Sequence, residues 1–302
     1  MPQYAYLRGE FVPLAEANVN VLTNSFQYGL SAFEGIRGNW NDEQQQVYLF
    51  RVREHYERMH QNCKVLMTAI PPVDDLCAIT KELIQRCGYR EDVYVRPLAY
   101  KSSEVIGTRL HDLDSDFCAV TFPYGRHLAS ERCRAGVSSW RRLNGNVGIP
   151  AGKISGQYFN SAYAKTEAIK NGFDEAILLN EAGYVAEACT ENIFLVSDGR
   201  LHTPSVSENI LPGITRRSVI DIAKNELGLE TVERRIERHE LYIADECFLT
   251  GTAAHVNPVV EIDRRPVGDG EIGPVTSQLQ ALYQDVIRGR SLGYLQWLTP
   301  VY

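Results

Sequence analysis

The chain has 302 residues, 44% of them hydrophobic and 23% charged, with a formal net charge of −7. That length exceeds one ordinary core, so two globular domains are expected, and neither a disordered nor a fibrous class fits. The acidic balance, without a long basic run, excludes nucleic acid or an anionic membrane as a main partner and turns attention to small molecules.

In chain order, "MPQYAYLRGEF" lacks the basic-then-apolar pattern of a signal peptide, and no uncharged apolar stretch is long enough to span a bilayer, so a cytoplasmic location is expected. "YAYLRGEFVPL" reads as a hairpin turning over Arg8-Gly9-Glu10, and "QQQVYLF" as a strand. "REHYERMHQNCKVL" then sets Tyr56, Met59 and Cys63 on one face of a helix, and "PVDDLCAITKELIQRCG" runs from a Pro and Asp start to a Gly stop. "DVYVRPLAY" is rich in β-formers, a polar excursion follows, and the strand "FCAVTFPYG" leads into "RHLASERCRAG", the best candidate for a linker.

The second half opens with the strand "AGVSSWRR". After "AGKIS" a helix is expected in which Phe159, Ala162, Tyr163 and Thr166 recur at i, i+3, i+4, i+7, with Gly172 as its left-handed stop. "EAILLNEAGYVAEACTENIFLVSDGRLHTP" reads as three strands joined by Gly turns, "LPGITRRSVIDIAKNELG" as a turn feeding a helix, and "DECFLTGTAAHVNPVVEID" as a return to strand. Interspersed helices and antiparallel strands make the fold class α+β rather than doubly wound α/β. The expected domains are 1–125, a linker at 126–133, and a larger domain at 134–302. The seven cysteines are scattered, odd in number and without Cys-x-x-Cys, which favours reduced buried thiols. His60 and Cys63 have ligand-like spacing but no second pair, so no metal is expected.

Lys153 in "AGKISGQYFNS" stands between glycines and just ahead of a helix. A phosphate-loop reading fails, because Val147 and Ile154 occupy the positions that need Gly and Ser or Thr. Catalyst and solvated surface charge both remain open for an isolated lysine. Glu187 lies in an otherwise apolar strand-forming run, where a carboxylate invites a cationic partner, although the outer face of a hairpin would also suit it. "LPGIT" would leave backbone N–H groups near Ile214 and Thr215 aimed outward, as helix starts that hold phosphate do. "QYGLSAFEGIR", taken alone, reads as a helix start with a buried aromatic face.

Together these runs resemble one family. Glu187-x-Cys189-x-x-Asn192-Ile193-Phe194, then Leu201-x-Thr203, then Leu211-x-Gly213-Ile214-x-Arg216 is similar throughout to the class IV aminotransferase pattern. Lys153 with Tyr158 upstream and "LTGTAA" downstream fall in the order of pyridoxal-phosphate enzymes of fold type IV. The resemblance covers nearly the whole chain, including "FQYGLSAFEGIR" and "FRVREHYERM".

The resemblance implies two domains of mixed, mostly antiparallel sheets flanked by helices, with 134–302 binding pyridoxal 5′-phosphate. It makes Lys153 the internal aldimine lysine, which also moves the proton between Cα and C4′; an unperturbed amine with pKa near ~10.4 needs help to react at neutral pH. Glu187 would meet the pyridine nitrogen, which would supply its missing cation, and Tyr158 the 3′-oxygen. Arg58, preferred over Arg53, would bind phosphate with the backbone at Ile214 and Thr215 and with Thr252, because a planar guanidinium bonds two oxygens; Asn192, Leu211 and Gly213 complete the cofactor set. "YVRPL" and "QYGLSAFEGIR" resemble the branched-chain type, so Tyr28, Phe33, Gly35, Arg37, Tyr94, Arg96, Tyr124, Thr252 and Ala253 are expected at the substrate. Tyr124 stands where the family commonly has Trp. The implied activity is ping-pong transfer of the amino group between L-Leu, L-Ile or L-Val and 2-oxoglutarate, by at least a homodimer with Tyr28 and "VIGTRL" reaching the partner's site. A D-amino acid or R-amine transaminase and an aminodeoxychorismate lyase are the alternatives on this fold.

Overall fold

The structure, a computed structural model, describes residues 3–125 and 132–302. It is α+β, with helices set between mixed sheets in no regular strand-helix-strand repeat. The chain forms two compact units: Met1–Gly125 with Gly152–Gly156 and Asp285–Tyr302, and Arg126–Ala151 with Gln157–Gln284. This differs from boundaries that keep 134–302 together. The terminal strand Leu298–Pro300 pairs with Gln46–Phe50, and Ile154 bridges Ala32, so both pieces pack with the first unit. Such long-range pairing leaves no local mark in a sequence. Of the expected linker, 126–131 lies outside the described residues, and Cys133 already opens a strand.

In the first unit, β1 (Tyr4–Leu7) and β2 (Glu10–Pro13) form the hairpin expected at Arg8-Gly9, with φ of 52° and 85° at the turn. Two successive positive φ angles match the twist of the flanking strands. α1 (Asn24–Tyr28) ends on left-handed Gly29, and β3 (Ser31–Phe33) and β4 (Ile36–Asn41) follow. "QYGLSAFEGIR" is thus a helix end and two strands, not a helix start, because Gly29 turns the chain out of the helix at once. β5 (Gln46–Phe50), β6 (Val93–Lys101) and β7 (Ser115–Pro123) complete an antiparallel sheet ordered terminal strand, β5, β4, β6, β7, β1, β2, with β3 on β6. α2 (Val52–Val65) buries the expected Tyr56, Met59 and Cys63, and α3 (Val73–Cys87) buries Leu76, Leu83, Ile84 and Cys87. Full burial of each large apolar side chain is worth about 1.5–3 kcal/mol. His60 bonds the Pro71 carbonyl through Nε2 at 2.9 Å, and all seven cysteines are free thiols.

The second unit holds β8 (Cys133–Arg141), β9 (Glu175–Leu179), β10 (Val185–Ala188), β11 (Asn192–Ser197), β12 (Arg200–Pro204), β13 (Thr231–Arg234), β14 (Glu246–Gly251), β15 (His255–Ile262) and β16 (Arg265–Pro266). Their order is β10, β9, β8, β15, β14, β11, β12, β13, with β16 on β15. β8 runs parallel to β9 and to β15, and β12 to β13. Parallel neighbours need a crossover, and α4 (Tyr158–Lys170) supplies the one from β8 to β9, α5 (Ile214–Leu227) the one from β12 to β13. α6 (Pro274–Ile287) follows β16. Among the described residues no helix is long and apolar enough to cross a membrane.

Two local expectations change here. The three strands expected over 175–204 are four, because the Ala188 N–H turns back to the Glu191 carbonyl at 2.8 Å and separates β10 from β11. α4 buries Asn160, Ser161, Ala164 and Ala168, whereas Phe159, Ala162, Tyr163 and Thr166 are all exposed. The small residues let the helix lie close on its sheet, where Asn160 Nδ2 donates to the Arg141 carbonyl at 2.9 Å, and Tyr163 stacks on Trp140 at 4.8 Å outside. Helical period identified the element but not its inner face.

Candidate active site

In the first unit Lys153 lies beside Phe33, which links it to Arg96 and Tyr94. Its backbone is drawn into the sheet: the Lys153 carbonyl accepts the Phe33 N–H at 3.0 Å, Ile154 bridges Ala32, and the Gly29 carbonyl accepts the Gly156 N–H at 3.1 Å. A Cβ on Gly29 would stand 2.7 Å from the Gly156 Cα, and Gly29 has φ of 68°, so the approach requires glycine at position 29. Lys153 Nζ lies 5.2 Å from the Phe33 ring centroid, and the Arg96 guanidinium lies 4.6 Å from the same ring. Arg96 donates to the Tyr94 hydroxyl at 3.0 Å. A Cβ on Gly35 would fall 1.9 Å from that hydroxyl, so Gly35 is bare because Tyr94 fills its space. Tyr94 packs on Tyr124 at 5.1 Å, and Arg37 reaches over the Tyr124 ring while pairing with Asp92. Tyr28, at the end of α1, accepts the Gly107 N–H at 3.1 Å.

Arg58 is buried on α2, where Nε and Nη2 donate to Glu34 Oε1 and Oε2 at 2.7 and 2.8 Å. His55 Nδ1, on the same helix, lies 2.8 Å from Glu34 Oε2. Burial opposes ionisation of Glu34, but the Arg58 charge and the two side-chain bonds outweigh it and hold the carboxyl well below the ordinary carboxylate range. Burial pushes His55 down, against its bond to Glu34, and the Arg58 and Lys153 charges push the same way. A neutral His55 therefore donates its Nδ1 proton to an ionised Glu34. Arg53, by contrast, is exposed and pairs with Asp74.

In the second unit Glu187 is buried at 4% exposure on β10, beside a register shift between Val185 and Glu187. The sequence reading left its cation to the cofactor; the structure supplies one from the chain, with Arg142 Nε 2.8 Å from Glu187 Oε1. Glu187 Oε2 accepts Asn192 Nδ2 and the Leu211 N–H, each at 3.0 Å, and Asn192 Nδ2 also donates to the Leu211 carbonyl. This ties β10 and β11 to the loop that enters α5. There Gly213 is the N-cap without a side-chain cap, and a Cβ on it would meet Asn192 Oδ1 at 2.1 Å. The N–H groups of Ile214 and Thr215 precede any intrahelical acceptor. Tyr158 opens α4, and Thr252 and Ala253, both half-buried, form the turn between β14 and β15.

These groups fit pyridoxal phosphate by chemistry. A buried carboxylate held by three donors is an acceptor for a ring N–H, an uncapped helix start and a buried guanidinium suit a phosphate, and a primary amine suits an aldehyde. Sequence reading missed Arg142, Glu34 and His55. The paired Arg141-Arg142 at the end of a strand and the His55-x-x-Arg58 step on one helix face were the only local signals.

Comparison with known proteins follows the same line. Residues 31–262 match the family model described as amino-transferase class IV. A probable branched-chain-amino-acid aminotransferase of Aquifex aeolicus is 49% identical, over 99% of this chain and 97% of that one. A branched-chain aminotransferase of Thermoproteus uzoniensis, crystallised with norvaline, superposes with a TM-score of 0.95 at 40% identity, covering 100% of both chains. The PLP-form (holo-form) of the branched-chain amino acid aminotransferase of Thermobaculum terrenum gives 0.95 at 37% identity, over 100% of this chain and 99% of that one.

Proposed function

The chain belongs to the class IV aminotransferases, and from that membership we propose that it is a pyridoxal-phosphate-dependent transaminase acting on L-leucine, L-isoleucine and L-valine, with 2-oxoglutarate as amino acceptor. The observation that carries this reading is the lysine amine standing over Phe33 beside the Tyr94–Arg96 pair. An aromatic wall receives a branched alkyl side chain, while a guanidinium at its edge receives a carboxylate, so one pocket serves both substrates of a ping-pong exchange.

Pyridoxal phosphate, when bound, supplies the carbonyl that takes up the amino group and a ring that delocalises the electron pair left at Cα. Lys153 Nζ is the base that removes the Cα proton and the acid that returns it. Glu187, kept ionised and oriented by Arg142, Asn192 and the Leu211 N–H, holds a proton at the ring nitrogen. Tyr158 donates to the ring oxygen. Arg58, the Ile214 and Thr215 N–H groups and the Thr252 hydroxyl bind the phosphate, and Gly213 leaves room for Asn192 at that helix start. Phe33, Gly35 and Tyr124 shape the apolar wall; Tyr28, Arg37, Tyr94, Arg96, Thr252 and Ala253 meet the carboxylates.

The active form is at least a homodimer. Val21, Phe26 and Ile106 are 67%, 67% and 65% exposed, yet the loop that carries Ile106 is held to α1 by Asn24 Nδ2 bonds to the Val105 and Gly107 carbonyls. A rigid exposed apolar patch next to Tyr28 supports a second copy as its cover. Seven free thiols support a reducing, cytoplasmic setting.

The half-reaction tests the substrate. The yellow holoenzyme is mixed singly with L-Leu, L-Ile, L-Val, D-Ala, R-phenylethylamine and aminodeoxychorismate, and its absorbance band is followed. Conversion by the three branched-chain L-amino acids is expected; conversion by D-Ala or the R-amine alone, or pyruvate release from aminodeoxychorismate, overturns the reading. Full activity in a sedimenting monomer overturns the dimer.

A further inference from the structure

Glu34 is fully buried at 0% exposure, and no step above uses it. It sits at the end of a four-residue segment with two attachments. On the backbone side, Ala32 and Phe33 bond the Lys153–Ile154 stretch, and the Glu34 N–H donates to the Pro97 carbonyl at 3.1 Å. On the side-chain side, Glu34 takes Arg58 in a two-point bond and His55 in a third.

We propose that Glu34 and His55 are positioning residues for the cofactor phosphate: Glu34 fixes the plane and roll of the Arg58 guanidinium relative to Lys153, and His55 fixes Glu34. The proposal rests on the reading that Arg58 binds the phosphate. Two effects of Glu34 on that binding have opposite sign. Its charge offsets the Arg58 charge, which weakens attraction for an anion, while its fork-to-fork bond holds the guanidinium in one orientation, which a two-oxygen contact needs.

The geometry favours orientation. A glutamine at position 34 offers one acceptor oxygen where Arg58 now finds two, and its amide N–H groups face the guanidinium's own donors. One of the Nε and Nη2 bonds must be lost and the fork must roll. Arg58 stays charged throughout, so an effect of Glu34→Gln reports geometry or the missing negative charge, and the direction tells which.

The experiment titrates apoenzyme with pyridoxal 5′-phosphate and with phosphate-free pyridoxal, for wild type, Arg58→Ala, Glu34→Gln, His55→Gln and His55→Phe. Near-UV circular dichroism and thermal midpoint serve as folding checks. Glu34→Gln is expected to weaken pyridoxal phosphate by roughly tenfold, as coupling between contacting residues usually does, and to leave pyridoxal unchanged. Combined with Arg58→Ala it should add nothing further. His55→Phe should show a smaller loss of the same kind, and His55→Gln, which keeps a donor to Glu34, should recover it.

Unchanged or tighter pyridoxal phosphate binding in Glu34→Gln overturns the proposal, as does an equal loss for both ligands. If Glu34→Gln fails to fold, the His55→Phe and His55→Gln pair decides on the same criteria. Arg58→Ala separates the two levels: if it does not discriminate between the ligands, the phosphate role of Arg58 falls; if it does and the Glu34 and His55 variants do not, only the positioning role falls.

Discussion

Lys153 offers its carbonyl to the Phe33 N–H at 3.0 Å while its own Nζ stands 5.2 Å from the centroid of the Phe33 ring. One residue thus holds the lysine backbone in register with the sheet and gives its amine an aromatic neighbour. Phe33→Ala removes the wall but keeps the backbone bond. Loss of a buried aromatic contact of about 2–3 kcal/mol should lower kcat/KM for L-leucine by roughly 30- to 150-fold and for L-glutamate by far less. Steady-state kinetics on both donors checks it; equal losses would show that Phe33 does not form the apolar wall.

Half-buried Arg142 pairs with buried Glu187. Removing Arg142 strips one charged donor from that carboxylate, which costs about 1.5–3 kcal/mol. Arg142→Met should therefore lower the thermal midpoint and the half-reaction rate together. Adding Glu187→Gln should return most of the stability and none of the rate, since the carboxylate at the ring nitrogen is then gone. Thermal unfolding and stopped-flow absorbance, run on wild type, Arg142→Met and the double variant, separate the two outcomes.

Gly35 leaves no room for a side chain, because a Cβ would stand 1.9 Å from the Tyr94 hydroxyl. Gly35→Ala must displace Tyr94 and with it the 3.0 Å bond from Arg96. Freeing one charged donor of its partner is worth about 1.5–3 kcal/mol, so KM for 2-oxoglutarate should rise roughly tenfold or more, with a smaller change in kcat. An unaltered KM would place the dicarboxylate away from the Tyr94–Arg96 pair.

Away from this chemistry, Glu191 is half-buried with its carboxyl turned inward against Glu175, whose carboxylate holds Lys165 Nζ at 2.6 Å. Burial first, and the Glu175 charge second, raise the Glu191 carboxyl above its ordinary value. A raised folded-state pKa means that the folded form binds the extra proton. The stabilisation is complete below the unfolded value of about 4.3 and disappears as pH climbs through the raised one. Glu191→Gln should flatten the fall in thermal midpoint between acidic and mildly alkaline pH. Parallel pH profiles in wild type and variant would refute this.

Much of the candidate site was legible along the chain because its residues lie in runs with local rules. Gly213-Ile214-Thr215 is a helix start, Lys153 lies in a glycine-bounded turn before a helix, and Glu187 is a carboxylate among strand formers. The supports were not legible. Arg142 meets Glu187 across 45 positions of sequence, and Glu34 meets Arg58 across 24. No periodicity links such pairs, and an arginine or glutamate in isolation reads as surface charge.

The sequence by itself determined most element types, the family, and the order in which the lysine, the glutamate and the Gly213-Ile214-Thr215 turn appear, since backbone propensity, side-chain period and motif spacing are local properties. Only the tertiary structure decided which face of α4 is buried, that Asp285–Tyr302 joins the first unit, and that Glu187 has its cation from Arg142. Those outcomes depend on strand pairing and on the cost of burying charge, which are settled by contacts between distant residues.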